Sequence, residues 1–503
     1  MKALTRGVLD FGFDGLLVDV ECHISKGLPA MIIVGAVSKA VEESKERIRS
    51  AFANSSINFP KQRITINIAP ADIPKDSTSL DITIAASIMQ AGNIIPTIPT
   101  NIALIGELGL DGTVRSVRGI VGKVLAGKNN GISTFIVPKN NSKQASLVPD
   151  VTILPVKNLQ ELYLFLTKST KLKPARAETS AFKPVNHTTY DFSYITGQSF
   201  AKRGIEIAAS GGHNILLNGP PGTGKSMLAK AITSILPPLS QSEKLEVTHL
   251  HSLVNHDYNK IISSRPFRSP HHSSSDTAII GGGKYPKPGE ISLSHCGVLF
   301  FDELPEFKRS SIEALRQPIE ENYVIISRIK DTVKYPAKFM FVATSNPCPC
   351  GYYNTHRNCT CTHLQISNYN KKLSGPIIDR IDLFTEVENI DHDSLLNSNS
   401  NIEKSVDIAK RVFKIRKIQT TRFGSDKLNS QMDTEDIKKF AQLDMGAKTL
   451  LNSAAKKLEL SPRSYMRTIK LARTIADMDG SNDIKQTHIS EALQYRPKTI
   501  NFI

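Results

Sequence analysis

The run Gly219-Pro220-Pro221-Gly222-Thr223-Gly224-Lys225-Ser226 constrains this chain more than any other feature. It follows a short apolar stretch, residues 214–217, and leads into the helix-compatible residues 227–236. Strand, glycine-rich loop and helix in that order make a phosphate cradle, because the glycines let several backbone N–H groups converge on one anion at a helix start. Lys225 then supplies a cation to the β- and γ-phosphates, and the Ser226 hydroxyl is placed to ligate Mg²⁺. A nucleotide phosphate with Mg²⁺ is the expected ligand pair, and an α/β fold is the setting such a loop requires.

A second run completes the chemistry. Gly297-Val-Leu-Phe-Phe-Asp302-Glu303 is a buried-type strand that ends in two acids. Beside a phosphate loop, Asp302 would orient Mg²⁺ and Glu303 would polarise the attacking water. A third strand, residues 338–344, leads to Asn346, whose amide is placed to help position that water.

The rest of the chain organises around this core. At 503 residues it is long enough for about three or four domains. Residues 1–168 alternate short apolar strands with helical periods and read as one α/β domain; 169–190, rich in Ser, Thr, Lys, Pro and Ala, read as a linker. A second α/β block spans 191–388, and 389–503 carry helical periodicity throughout. No apolar stretch reaches the roughly 18 residues a membrane span needs, so no membrane partner is expected. Asp10 and Asp14 interrupt the apolar run of a secretory leader, which points to the cytoplasm.

The charge balance names a partner class. Lys and Arg number 63 against 47 Asp and Glu, a net +16, and residues 401–503 alone hold 20 basic against 12 acidic residues. Such an excess faces polyanions, with nucleic acid first among them. Of six cysteines, four form Cys348-x-Cys350 and Cys359-x-Cys361, a C-x-C-x8-C-x-C pattern. In a reducing compartment four thiols in reach of one point suit tetrahedral Zn²⁺, with His356 or His363 as alternative ligands and plain structural thiols as the other reading.

Together with the phosphate loop and the Phe-Phe-Asp-Glu strand, several longer motifs carry a family resemblance. Gly197-Gln198, Arg265-Pro-Phe-Arg-Ser-Pro-His-His272, Gly281-Gly-Gly283, Pro288-Gly-Glu-Ile-Ser292, Leu315-Arg-Gln-Pro318 and Asn346-Pro-Cys-Pro-Cys-Gly351 resemble the magnesium-chelatase-like AAA+ ATPases of the YifB/ComM family. The resemblance covers nearly the whole chain. It implies an AAA+ core at 191–388, a helical lid at 389–503, and Lys225, Ser226, Asp302, Glu303 and Asn346 as Walker A, Walker B and sensor 1 residues.

It further implies that Arg380, in Ser374-Gly-Pro-Ile-Ile-Asp-Arg380-Ile-Asp382, is an arginine finger acting on a neighbouring subunit. Arg463 in Ser461-Pro-Arg463 would then be sensor 2, with Arg467 as substitute, and the active form a homo-hexameric ring. Residues 323–327 and 332–335 read as a hairpin, which in this group projects into the ring pore. Arg328, Lys330 and Lys334 would there meet DNA phosphates, joined by Arg265, Arg268 and Lys284 from a loop-rich insertion.

Residues 68–86 and 106–140 resemble the C-terminal fold of Lon proteases. Ser79 in Pro74-Lys-Asp-Ser-Thr-Ser79 falls at the nucleophile position, but Val121 occupies the position of the partner lysine. Lys123, two residues on, is expected to turn roughly 200° away around a helix, which leaves the domain without a dyad. The resemblance thus implies a DNA motor on single-stranded and branched DNA, a helicase of branch migration in natural transformation. The rivals are a chelatase-type motor that remodels a protein partner and a Lon-like ATP-dependent protease.

Overall fold

A computed structural model describes residues 2–36, 38–73, 75, 77–176, 190–254, 259–283, 286–327, 332–355, 357–373, 375–389 and 403–497. Most of the expected linker, together with Lys284, Arg328, Lys330 and His356, lies outside these residues. The chain divides into two compact units, both built on α/β sheets.

The first unit comprises Met1–Lys183, Ser240–Ser263 and Ser327–Lys334. Its seven-stranded sheet runs in the order Ala30–Val34, Arg63–Ala69, Asp14–Ser25, Lys2–Phe11, Ile102–Leu104, Thr134–Pro138, Thr152–Val156. Lys2–Phe11 and Asp14–Ser25 form a long antiparallel hairpin, and the last three strands run parallel. Successive side chains point to opposite faces, so Leu104, Ile136 and Leu154 join one core while Ala103, Phe135 and Ile153 join another. Helix Asp81–Ala91, buried on nearly every side, packs over the hairpin.

Two of this unit's segments come from far along the chain, inside the expected 191–388 block. Helix Gln241–Ser252 opens on a capping box between Ser240 and Glu243. It lays His249 against Gly122, where a Cβ would lie 2.5 Å from the imidazole Nε2. The same nitrogen bonds the Phe13 carbonyl at 2.5 Å. A chain-order division misses this packing because strand and helix periods report burial, not which core does the burying.

The second unit centres on a five-stranded parallel sheet in the order Phe267–Arg268, Val298–Phe301, Met340–Ser345, Ile215–Asn218, Leu383–Glu386. Every residue of Val298–Phe301 and Met340–Ser345 is buried, as central parallel strands covered on both faces must be. The later helices share this core. Ile408, Val412, Ile469, Ile475 and Tyr495 belong to the same apolar cluster as Ile215, Leu217, Phe300 and Val342. Tyr323–Ser327 and Thr332–Pro336 pair as a two-stranded sheet. Among the described residues no helix is long and apolar enough to cross a membrane.

Candidate nucleotide site and thiol cluster

The phosphate loop leaves the central strand Ile215–Asn218 and ends where helix Lys225–Ile235 begins. Gly219 passes so near Leu383–Glu386 that a Cβ would lie 2.2 Å from the Val387 carbonyl oxygen. Gly222 and Gly224 have φ of +81° and +87°, left-handed values that L side chains adopt at a cost. The Lys225 ammonium, only 8% exposed, donates to the carbonyls of Gly219 at 2.6 Å and Pro220 at 2.7 Å, and to Asn346 Oδ1 at 3.0 Å. Burial lowers its pKa to about 8, against the opposing pull of Asp302 and Glu303.

The acids arrive on the neighbouring strands. The Ser226 hydroxyl donates to the Asp302 carboxylate, with both oxygens within 3.1 Å. Thr344 Oγ1 donates to Asp302 Oδ1 at 2.6 Å and accepts from the Glu303 N–H at 2.8 Å. Sequence reading passes over Thr344, although the parallel pairing of Phe301 with Ala343 puts the next residues side by side. Glu303 itself has φ of +55°, so the chain turns sharply after delivering the pair. Ser226 and Asp302 thus present a hydroxyl and a carboxylate to one point, a donor set that fits Mg²⁺.

Three arginines lie on the same unit. Arg380 donates to the Arg316 carbonyl at 3.3 Å and the Pro376 carbonyl at 2.5 Å, and pairs with Glu320 at 2.8 Å. Arg463 pairs with the other oxygen of Glu320, a residue that no motif singles out. Arg467 is committed elsewhere, to Asp382 Oδ1 at 2.5 Å and the Arg380 carbonyl at 2.8 Å. Burial alone would raise the Asp382 pKa, but Arg467 and His213 hold it far below the ordinary carboxylate range.

The expected DNA contacts separate into two kinds. Arg265 donates to the carbonyls of Pro237, Pro238 and Cys296, and Arg268 makes a two-pronged pair with Glu290 at 2.5 and 2.6 Å. Both guanidiniums are engaged by groups of the chain's own fold while staying partly exposed. Lys334, by contrast, is exposed on strand Thr332–Pro336.

The four cysteines converge. All four sulfurs lie within 4.8 Å of one another, with Cys348 at 3.3 Å from Cys350 and 3.7 Å from Cys359. None is in a disulfide. Zinc–thiolate bonds of about 2.3 Å in a tetrahedron place sulfurs about 3.8 Å apart, so shifts of about half an ångström in sulfurs such as those of Cys348 and Cys350 would shape the cluster to that ion. Backbone N–H groups of Tyr353 and Cys350 point at the sulfurs of Cys348 and Cys361, as thiolates require.

Family descriptions match three segments: "Magnesium chelatase, subunit ChlI" over residues 191–395, "Subunit ChlI of Mg-chelatase" over 20–141 and "Magnesium chelatase, subunit ChlI C-terminal" over 402–496. Competence protein ComM of Haemophilus influenzae is 41% identical over 499 residues, 98% of this chain and 97% of its own. The chain belongs to the YifB/ComM family of magnesium-chelatase-like AAA+ proteins. YifB of Escherichia coli is likewise 41% identical, over 98% of this chain and 96% of its own. A Lon protease of Chloroflexus aggregans matches 171 residues at 29% identity, 32% of this chain and 21% of that protease.

The Lon-like segment has its own geometry. Val121, at the position of a dyad lysine, is fully buried in the core. Lys123, on the same helix, is buried with its charge satisfied. Its ammonium is 1% exposed, paired with Asp10 and donating to the Arg118 carbonyl at 2.6 Å. Ser77 stands between, with its hydroxyl 3.5 Å from Asp10 and 2.9 Å from Ser79. The long lysine stem curls back along the helix start. Ser79 bonds the Val8 carbonyl and Ser77, while Lys123 bonds Asp10 and Arg118.

Proposed function

We propose that this protein is an ATP-driven motor that encircles DNA as a homo-hexamer and promotes branch migration of recombination intermediates in natural transformation. The observation that carries the ATPase half is the convergence of Lys225, Ser226, Asp302, Thr344 and Asn346 at one helix start. Lys225 exchanges loop carbonyls for phosphate oxygens, Ser226 and Asp302 hold Mg²⁺, and Glu303 takes the proton of the attacking water. Bound Mg²⁺ supplies charge neutralisation on the transferring phosphate. Arg380 leaves Glu320 to complete a neighbour's site, and Arg463 senses the bound nucleotide.

The DNA half rests on the net charge of +16 and on 41% identity with a competence protein. Single-stranded and branched DNA are the partners, met by Arg328, Lys330 and Lys334 on the hairpin and by Lys284; the setting is the cytoplasm. Zinc occupies the four-cysteine cluster as a structural ion. The family descriptions favour one second reading, a chelatase-type motor that remodels a protein partner. Protease action is disfavoured, because Lys123 is engaged by Asp10 and Val121 carries no base.

Steady-state ATPase activity with and without single-stranded and branched DNA, across a salt series, tests the proposal. Stimulation that fades with salt supports the DNA motor. Activity indifferent to DNA moves the protein-remodelling reading to first place.

A further inference from the structure

The thiol cluster and the phosphate loop touch at more than one point. Asn346, which accepts from Lys225 Nζ at 3.0 Å, stands two residues before Cys348. Directly after Cys350, Gly351 turns with φ of +85° and its N–H bonds the Cys348 carbonyl at 2.9 Å. A Cβ on Gly351 would lie 2.5 Å from Cδ of Pro221, in the phosphate loop. Beyond Cys361, helix His363–Lys371 brings in Tyr369, 4% exposed. Burial raises the Tyr369 hydroxyl above its ordinary range, and a hydrogen bond with the Asn346 backbone opposes that shift.

The cysteine segment therefore backs the nucleotide site on two sides, behind Asn346 and behind Pro221. Cys348 is buried, whereas Cys350, Cys359 and Cys361 are only partly so, and the turns between them are held by local hydrogen bonds such as that of Thr355 to the Tyr352 carbonyl. A fold that lacks a core takes its rigidity from the metal that its ligands share.

Resting on the zinc reading above, we infer that zinc at Cys348, Cys350, Cys359 and Cys361 sets the nucleotide affinity of the ATP site. With the ion in place, Gly351 is pressed against Pro221 and Asn346 is held in reach of Lys225. Without it the turn relaxes, the loop loses its backing, and ATP binds weakly. The site would thus couple ATP use to the supply of a thiophilic divalent cation.

The test uses the full chain, purified under reductant, with zinc measured by mass spectrometry and affinity measured with a fluorescent ATP analogue. Zinc is stripped with a mercurial followed by thiol and chelator, and far-UV circular dichroism checks that the fold survives. The expectation is a single zinc per chain, and a loss of about tenfold in nucleotide affinity on stripping that Zn²⁺ restores and Mg²⁺ does not. Cysteine variants risk unfolding the segment, so Gly351→Ala serves as the second probe. It keeps all four thiols, and should retain zinc while losing affinity about tenfold through overpacking against Pro221. A chain without zinc as purified overturns the metal reading and this inference with it. A zinc-loaded chain whose affinity is unmoved by stripping and by Gly351→Ala overturns the coupling alone and leaves the site standing.

Discussion

Arg380 and Arg463 share one carboxylate, that of Glu320, each on a different oxygen. The two arginines come from segments more than eighty residues apart, and the residue between them is part of neither motif. In this arrangement both guanidiniums are directed to the chain's own acid. An arginine that serves a neighbouring ATP site must first let go of it.

Arg380→Ala is therefore expected to permit assembly while hydrolysis falls about a thousandfold, the usual loss for an arginine finger. Sedimentation and ATPase assays on the same preparation check it. In mixed rings the variant should depress its partners as well; loss confined to the variant's own sites would argue against action in trans. Glu320→Gln, which weakens the hold on both arginines, should raise rather than lower ATPase activity at limiting nucleotide.

Lys225→Ala and Glu303→Gln should separate binding from chemistry. Without the ammonium the triphosphate loses its main counter-charge, and nucleotide binding should disappear in equilibrium titrations. Glu303→Gln keeps the shape but removes the base, so ATP stays bound while turnover drops by about a hundred- to ten-thousandfold. Normal turnover in Glu303→Gln would rule out the water-polarising role.

The depressed Lys225 pKa gives the site a pH dependence of definite sign. Below about 8 the ammonium is charged and ready for phosphate; above it the nucleotide-free chain holds a neutral amine. Binding then has to take up a proton, so apparent affinity should fall by up to about tenfold per pH unit above that point. Lys225→Arg, whose guanidinium stays charged, should flatten the profile. Fluorescent-nucleotide titrations from neutral to alkaline pH measure both.

Basic residues should divide by role. Alanine at Lys334, Arg328 or Lys330 should weaken DNA binding for all sequences and lower the salt slope by about one for each phosphate that is no longer neutralised. Alanine at Arg265 or Arg268 should instead destabilise the fold by about 1 kcal/mol, because part-buried carbonyls and Glu290 lose their donors. Thermal denaturation and salt-series DNA titrations distinguish the two outcomes.

Much of this is legible in the amino-acid sequence alone. Glycine spacing, a lysine and a hydroxyl in a strand–loop–helix context determine a phosphate cradle, since the backbone can make that turn in few ways. Fully apolar strands ending in acids determine a parallel sheet with its carboxylates at one edge, and the C-x-C pairs determine that four thiols are available to one ion. These features are local, and their physical chemistry travels with the sequence. What only the tertiary structure decided is pairwise and distant. Thr344 bridges Asp302 and Glu303 because two strands run parallel in one register. Glu320 takes both arginines, Arg265 meets the Pro237 carbonyl, Arg268 meets Glu290, Lys123 reaches Asp10, and Gly351 meets Pro221. Periodicity reports how much of a side chain is buried, whereas partnership depends on where the chain returns, and that is set by the packing of the whole core.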